Sequence, residues 1–490
     1  MKKAGIMLPL FSVPGNQGIG DLGQKTLTMI NAIADAGYSV WAMLPLSPTA
    51  DNNPYHPISS FAGDPVYINI DRLAEMGLLT QSSIVNCNKF KDFVDYDTVR
   101  QFKEPYFLRA FKAFRKNYQE YKKEFEAFKR EAFWLNAWTA YEVFRYNYNN
   151  EGWSHWEEEY RNWPEKQEIT LRDHVERIFY IQFLQFVFYK QFKEVVAHAK
   201  EKGLDLMITL PFFQMTDSAE VWTSKKDYMI HPDGTVAEYV GIPPEVPGNP
   251  GEVLDMPVYN LDQMSAERFK RFRDRVSWLA KSYKYINISQ FKALDVFWKV
   301  PKGLESRFGT WKDGPGLDLL ELLKSDNPDT IFLAEDTGPH RPALSVMETE
   351  MGIPTMDVLE NRMETKTLKR PALPNSVLYT SIYTQPSLEE DYVSFSNNKR
   401  IALRRFFKKR DYQHRSFHDL IVNYALDSDA EMVILNMTDL LGAKTPAFLR
   451  WDVEGEQKDW AWKIKDFKTL PSELKKTTPW LEEAGRLKEE

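Results

Sequence analysis

Carboxylates, one serine and several flat rings are the groups in this 490-residue chain whose placement suggests chemistry. Glu335 and Asp336 directly follow the strand-like run TIFLA, the place from which a parallel strand offers a side chain to a ligand crevice. Ser289 ends a second run, YINIS from Tyr285. Its neighbours Asn287 and Gln290 cannot usefully accept a hydroxyl proton, and no local Ser-His-Asp arrangement is visible. Asp217, Glu220, Glu252 and Asp255 fall in loops from which a carboxylate could reach a cleft, whereas Asp295 reads as a surface or capping acid. His56, His231 and His340 show no metal-ligand spacing, so neither a metal nor another cofactor is expected.

Composition narrows the ligand. Sixty-three basic against 70 acidic residues give a net charge of -7, which offers no footprint for nucleic acid or an anionic membrane and suits a neutral substrate. The single cysteine, Cys87, excludes an intramolecular disulfide and fits a reducing, cytoplasmic setting. The N-terminal apolar run is too short and too soon broken by proline for a signal peptide, and no uninterrupted stretch of 18 apolar residues reads as a membrane span. Aromatic residues make up 14% of the chain, and rings serve both sugar faces and cores. The stripe Phe107, Phe111, Phe114, Tyr118, Tyr121, Phe125, Phe128 advances by fours and threes, so it reads as one buried helix face.

These residues need a scaffold. Short apolar runs recur at long intervals: GIMLPL, VWAML, LDLMITL, YINIS, TIFLA, VLYT and MVILN. Separated by helical patterns, they predict buried parallel strands with helical crossovers, and thus an α/β barrel. Residues 89–202 read as helical throughout and predict a helical subdomain inserted into the barrel, its last helix closed by Gly203 and packed on the barrel itself. Gly18, Gly20 and Gly23 spell G-x-G-x-x-G, but no acidic residue ends the next strand run. A tight turn ahead of a helix explains these glycines more simply. The C-terminal KDFKTLPSELKKTTPWLEEAGRLKEE reads as a solvated helix or tail.

GIMLPLFSVPGNQGIGDLG, AGYSVWAMLPLSPT and NPYHPISSFAGDPVYINIDRLAEMGLL closely resemble the N-terminal third of the amylomaltases, the 4-α-glucanotransferases of glycoside hydrolase family seventy-seven. DSAEVW, VGIPPE, LAEDTG, GIPTMDVL and DLLG extend the resemblance over nearly the whole chain in the right order. It implies a (β/α)8 TIM barrel with inserted helical subdomains, and retaining glycosyl transfer between α-1,4-glucans. That chemistry uses a nucleophile and an acid/base carboxyl group about 5 Å apart, and the family adds a third carboxylate.

Carried over, the family pattern puts the acid/base on Glu335, with Asp336 beside it. The nucleophile position falls on Ser289, the third carboxylate on Thr384, and the family's neighbouring Arg and two His on Asn287, Gln290 and Tyr383. Tyr55 matches a family tyrosine that stacks on sugar and Trp222 matches in position, so both are candidate sugar contacts, with core packing or loop anchoring an equal reading for either ring. Two carboxylates replaced by neutral groups predict a pseudoenzyme that lacks 4-α-glucanotransferase activity and binds an α-1,4-glucan or maltooligosaccharide, another ligand or a protein partner. The alternatives are an active α-glucan enzyme with relocated carboxylates, and a protein-interacting subunit whose cleft is closed.

Overall fold

In the computed structural model, eight strands run parallel among the described residues, which are 2–85, 90–167, 169–244, 249–335, 341–412, 416–444, 451–453 and 456–488. They are β1 (Lys3–Met7), β2 (Val40–Met43), β3 (Asp205–Pro211), β6 (Tyr285–Ser289), β9 (Ile331–Glu335), β10 (Thr355–Val358), β11 (Ser376–Tyr379) and β12 (Met432–Asn436). The intervening β4 (Glu238–Ile242), β5 (Glu252–Pro257), β7 (Val296–Pro301) and β8 (Thr310–Asp313) form a separate antiparallel sheet in the order β5-β4-β7-β8. The parallel strands follow one another in the order β10-β11-β12-β1-β2-β3-β6-β9, and β9 lies against β10 across the remaining seam. The sheet is the (β/α)8 barrel the runs predict. Every residue of β2, β6, β11 and β12 is buried, which is why these segments read as nearly unbroken apolar runs.

One barrel strand has no such run. In β10, Thr355 and Asp357 alternate with apolar residues and only Val358 is buried, so TMDV carries no strand signal of the buried kind. Its pairing with β11, from Thr355↔Ser376 to Val358↔Tyr379, holds it in the barrel.

Between β2 and β3 the chain is mainly helical, with helices Tyr96–Lys116, Tyr118–Glu131, Leu135–Asn147 and Val175–Glu201. The aromatic stripe spans the first two of these, which break at Asn117. Phe114 still meets Tyr118, Tyr121 and Phe125 across the break, so one apolar seam continues through two helices. Helix Val175–Glu201 packs on β3 and on helix Gln24–Asp35, and Gly203, at φ +64°, turns the chain into β3. Its Gln185 and Gln191 grip the long loop after β2. Gln185 accepts from the Gly63 N–H and donates to the Gly63 carbonyl, and Gln191 does the same for Asn69, all at 2.8–3.0 Å.

The glycine-rich stretch after β1 is a packed turn. Gly18 has φ +86°, and a Cβ on Gly20 would lie 1.9 Å from the Leu10 carbonyl oxygen. Asp21 there forms a buried ion pair with Lys103 at 3.2 Å, joining the turn to the helical segment.

The C-terminal segment corrects the expectation of a solvated tail. Helices Leu470–Lys475 and Thr478–Glu483 pack on helices Gln24–Asp35 and Phe417–Leu426. Arg486 is 1% exposed, and its guanidinium donates to the carbonyls of Lys3, Leu426, Ser428 and Ala430. It thus clasps the N-terminal ends of β1 and β12 from the face opposite the strand C-termini. No helix of the described residues is long and apolar enough to cross a membrane.

Candidate active site

The C-terminal ends of β3, β6 and β9 bring a small group of side chains to one point. Parallel register sets Ser289 beside both Pro211 and Glu335, and Asn287 beside both Thr209 and Leu333. Glu335, last residue of β9, receives the Asn287 amide at 2.5 Å, the Thr209 hydroxyl at 3.4 Å and the Tyr55 hydroxyl at 3.4 Å. Ser289 also hydrogen-bonds to it. Burial raises the carboxyl group from 4.5 to about 7, and these four donors only moderate the shift. Desolvation is the largest cause. A carboxyl group of this kind is shared between acid and base forms near neutrality, which is what a group that donates and then recovers a proton requires.

Three phenols surround it. Tyr55 stands on the loop after β2, Tyr379 ends β11, and Tyr383 follows β11. Burial first, and the Glu335 charge second, hold all three phenols above their ordinary value, so they are neutral donors. Tyr383 spends its hydroxyl on the Ala42 carbonyl at 3.0 Å, spanning the barrel mouth from β11 to β2. The Tyr379 hydroxyl and the Asn287 amide oxygen are buried without a partner. Tyr55 is half-buried, its ring 5.8 Å from that of Trp460.

The predicted residues thus divide. Glu335, Ser289, Asn287 and Tyr55 converge, with Tyr383 close by. Thr384 lies on the turn after β11, with no bond to Glu335. Gln290, at φ +55°, leaves the strand and opens the helical turn Phe291–Leu294. Asp336, His340 and Cys87 lie outside the described residues. Trp222 requires a correction: it is fully buried, stacked on Trp163 at 5.9 Å, and its indole N–H donates to the Tyr160 carbonyl. Its ring anchors the helical segment and presents no face to a sugar.

The loop acids divide as well. Asp217 accepts from the Tyr141 hydroxyl and faces Arg145 at 3.6 Å, and Glu220 is held by Ser59 at 2.9 Å. Asp295 pairs with Arg341 at 3.3 Å. Glu252 and Asp255 stand exposed on β5, which joins the loop leaving β3 through the Thr216 N–H and the Asp255 carbonyl at 2.9 Å.

Sequence reasoning missed one carboxyl cluster, formed by Glu360 after β10, Asp391 on helix Leu388–Ser394 and Asp439 after β12. Burial and the neighbouring Asp391 and Asp439 raise Glu360 to about 9, and burial raises Asp439 to about 6. Glu360 is therefore an acid at neutral pH, a donor and not a nucleophile. Asp439 accepts from the Ser381 hydroxyl at 2.6 Å and the Leu388 N–H at 2.7 Å, tying together the loops after β11 and β12. The DLLG motif signalled Asp439. Nothing in the sequence around Glu360 signalled that residue.

The fold is thus a (β/α)8 barrel with a buried carboxyl group of raised pKa at the C-terminal end of a strand, ringed by hydroxyl and amide donors. Comparison makes this specific, since the 4-alpha-glucanotransferase profile of glycoside hydrolase family 77 matches residues 8–469, and the chain belongs to that family. It is 29% identical to the 4-alpha-glucanotransferase of Aquifex aeolicus over 97% of this chain and 98% of that one. Against the Thermus thermophilus 4-alpha-glucanotransferase it is 25% identical over 96% and 95%. The amylomaltase of Streptococcus agalactiae, solved with acarbose, superposes with a TM-score of 0.89 at 20% identity, covering 99% of this chain and all of the other. These comparisons correct the expectation of an inactive binding protein. The relatives named here, matched nearly from end to end, are 4-alpha-glucanotransferases.

Proposed function

We propose that this protein is an enzyme acting on α-1,4-linked glucan by glycosyl transfer, with Glu335 as its proton-donating and proton-accepting group. The observation that carries this reading is the single carboxyl group held by burial at about 7, in the position where the family keeps its acid/base. In its acid form Glu335 protonates the oxygen of the leaving sugar as the anomeric carbon passes from that oxygen to a second carboxylate, which the acceptor hydroxyl later displaces. As a carboxylate it then takes a proton from the accepting hydroxyl, so the group ends as it began. Tyr55 and Thr209 orient the carboxyl oxygens. Neutral phenols and amides suit an uncharged polyol.

The second carboxylate is relocated. Ser289 spends its hydroxyl on Glu335, Glu360 stays protonated, and Asp217 and Glu220 are already held. Of the described loop acids weighed above, those left free are Glu252 and Asp255 on β5, and Asp255 is the one whose backbone is tied to the loop leaving β3. The test is to incubate the protein with maltotriose and follow glucose and longer maltooligosaccharides. Turnover is expected in the wild type, with losses of about 10²-fold or more for Glu335→Gln and for Asp255→Asn. Full activity in Glu335→Gln would overturn the reading of the site, and full activity in both Asp255→Asn and Glu252→Gln would overturn the relocation.

A further inference from the structure

Of the four donors to Glu335, Tyr55 alone stands off the barrel strands. Thr209 lies on β3, and Asn287 and Ser289 lie on β6, so strand register fixes where their backbones sit. Tyr55 belongs to a tight turn in the loop after β2, closed by its own neighbours: the Tyr55 N–H donates to Asn53 Oδ1 at 3.0 Å, and His56 meets Asp51 at 2.7 Å. That turn fixes the backbone and leaves the direction of the phenol to whatever backs its ring. Among the described residues the ring that meets it is Trp460, 5.8 Å away and tilted by 48°.

Trp460 is held in an unusual conformation. Its φ is +57°, in the left-handed region that bulky residues seldom enter, and it is only 2% exposed. Glycine or asparagine would take such a turn more easily. Bonds from distant segments enforce it. The Tyr96 hydroxyl donates to the Trp460 carbonyl at 2.9 Å, the Val94 N–H to the Ala461 carbonyl at 2.8 Å and the Ser12 hydroxyl to the Trp462 carbonyl at 2.7 Å. The Ile464 N–H donates to the Ser12 carbonyl at 2.9 Å. The loop after β1 and the start of helix Tyr96–Lys116 therefore dictate the path of residues 460–464. Strain that its surroundings hold in place beside a reacting centre points to use.

We infer that Trp460 is a positioning residue for the proton-transfer group: its strained backbone presents the indole as a wall behind Tyr55, and Tyr55, so backed, keeps its hydroxyl on the Glu335 carboxylate. Trp460 acts through Tyr55. The catalytic consequence rests on the proposed function, whereas the contact at Glu335 can be read without any turnover.

The Glu335 carboxyl carbon, followed by ¹³C NMR in glutamate-labelled protein and assigned by its loss in Glu335→Gln, reads that contact directly. A hydrogen bond from Tyr55 favours the carboxylate, so Tyr55→Phe should raise the titration midpoint by about half a unit, roughly threefold in proton affinity. Trp460→Leu should raise it by the same amount, and the double variant should go no higher than Tyr55→Phe alone. Trp460→Phe, which keeps a ring, should stay at the wild-type midpoint. A midpoint unmoved by Trp460→Leu, or two rises that add in full, would overturn the inference and leave Trp460 a packing residue. If Trp460→Leu does not fold, 5-fluorotryptophan in the otherwise unaltered chain takes its place. The ¹⁹F signal of Trp460 should then follow the Glu335 titration and stop doing so in Tyr55→Phe; a signal indifferent to that titration would overturn the inference equally. Maltotriose turnover by the wild type tests the proposed function and enters none of these readings, so the two can fail separately.

Discussion

Replacing Glu335 by glutamine should uncouple both stability and activity from one proton. The amide keeps the shape of the side chain and can turn its oxygen toward the Asn287 donor, but it does not ionise. Burial lifts the native carboxyl group from 4.5 to about 7. At about 1.4 kcal/mol per unit, the folded state pays about 3 kcal/mol to ionise Glu335. Below pH 4.5 the group is protonated in both folded and unfolded chains, and no cost arises. Between 4.5 and about 7 the unfolded chain releases the proton and the folded chain keeps it, so native stability falls; above 7 the loss is complete. With an unfolding entropy of about 1 kcal/mol/K for a chain of 490 residues, this amounts to about 3 °C. The melting temperature of Glu335→Gln minus that of the wild type should therefore rise by about 3 °C from pH 4.5 to 7 and then level off, as read by differential scanning calorimetry. Glu360 also titrates, near 9, but it is common to both proteins and cancels in the difference. Above that window wild-type transfer should lose its acid form, falling about tenfold per pH unit beyond 7. A melting difference that is constant from pH 4.5 to 8.5 would refute burial as the source of the raised acidity and, with it, the role assigned to Glu335.

Ser289→Asp sets a second carboxyl group beside Glu335 in register, and two such groups share one proton. The variant should melt well below the wild type at pH 8 and close to it at pH 5; an equal loss at both would exclude charge repulsion. Trp222→Ala should cost about 3–5 kcal/mol, as expected for a fully buried indole, while the KM for maltotriose in the folded protein stays unchanged. A raised KM would restore the sugar-contact reading. Arg486→Met leaves four backbone carbonyls without their donor and should cost about 3 kcal/mol in urea unfolding. No change there would show that water replaces the guanidinium freely.

Seven of the eight barrel strands were legible because burial on both faces demands uninterrupted apolar residues. β10 was not, because Thr355 and Asp357 break the run and its place is fixed by pairing with β11, which no local pattern encodes. The aromatic stripe gave the buried face correctly and concealed the break at Asn117, since the seam continues on both sides of it. Glu335 and Ser289 were placed together through their strand ends. The Trp222 motif showed only that a ring belonged there, since whether a ring faces solvent or Trp163 is decided by segments about 60 residues away. The charged C-terminus misled for a related reason. Its lysines and glutamates are solvated, while the decisive residue is the one arginine whose partners are distant backbone carbonyls. Replacement of the family's carboxylates was plain from the sequence, but inactivity did not follow from it: the relatives matched from end to end are 4-alpha-glucanotransferases, and Glu252 and Asp255, read as loop acids, stand on a strand of a sheet the apolar runs did not reveal.

The Arg486 clasp also bears on the order in which the molecule can be built. β1 finds β2 early, but its other neighbour, β12, is about 430 residues further along, and the arginine that fastens both comes later still. At roughly 5–20 residues per second, a ribosome leaves one edge of β1 unpaired for about 20 to 90 seconds. An open edge of buried-type sequence is a place where nascent chains adhere to one another. Closure of this barrel is thus an event of release from the ribosome, and lesions in its last helices should appear first as lost soluble yield and only afterwards as lost catalysis.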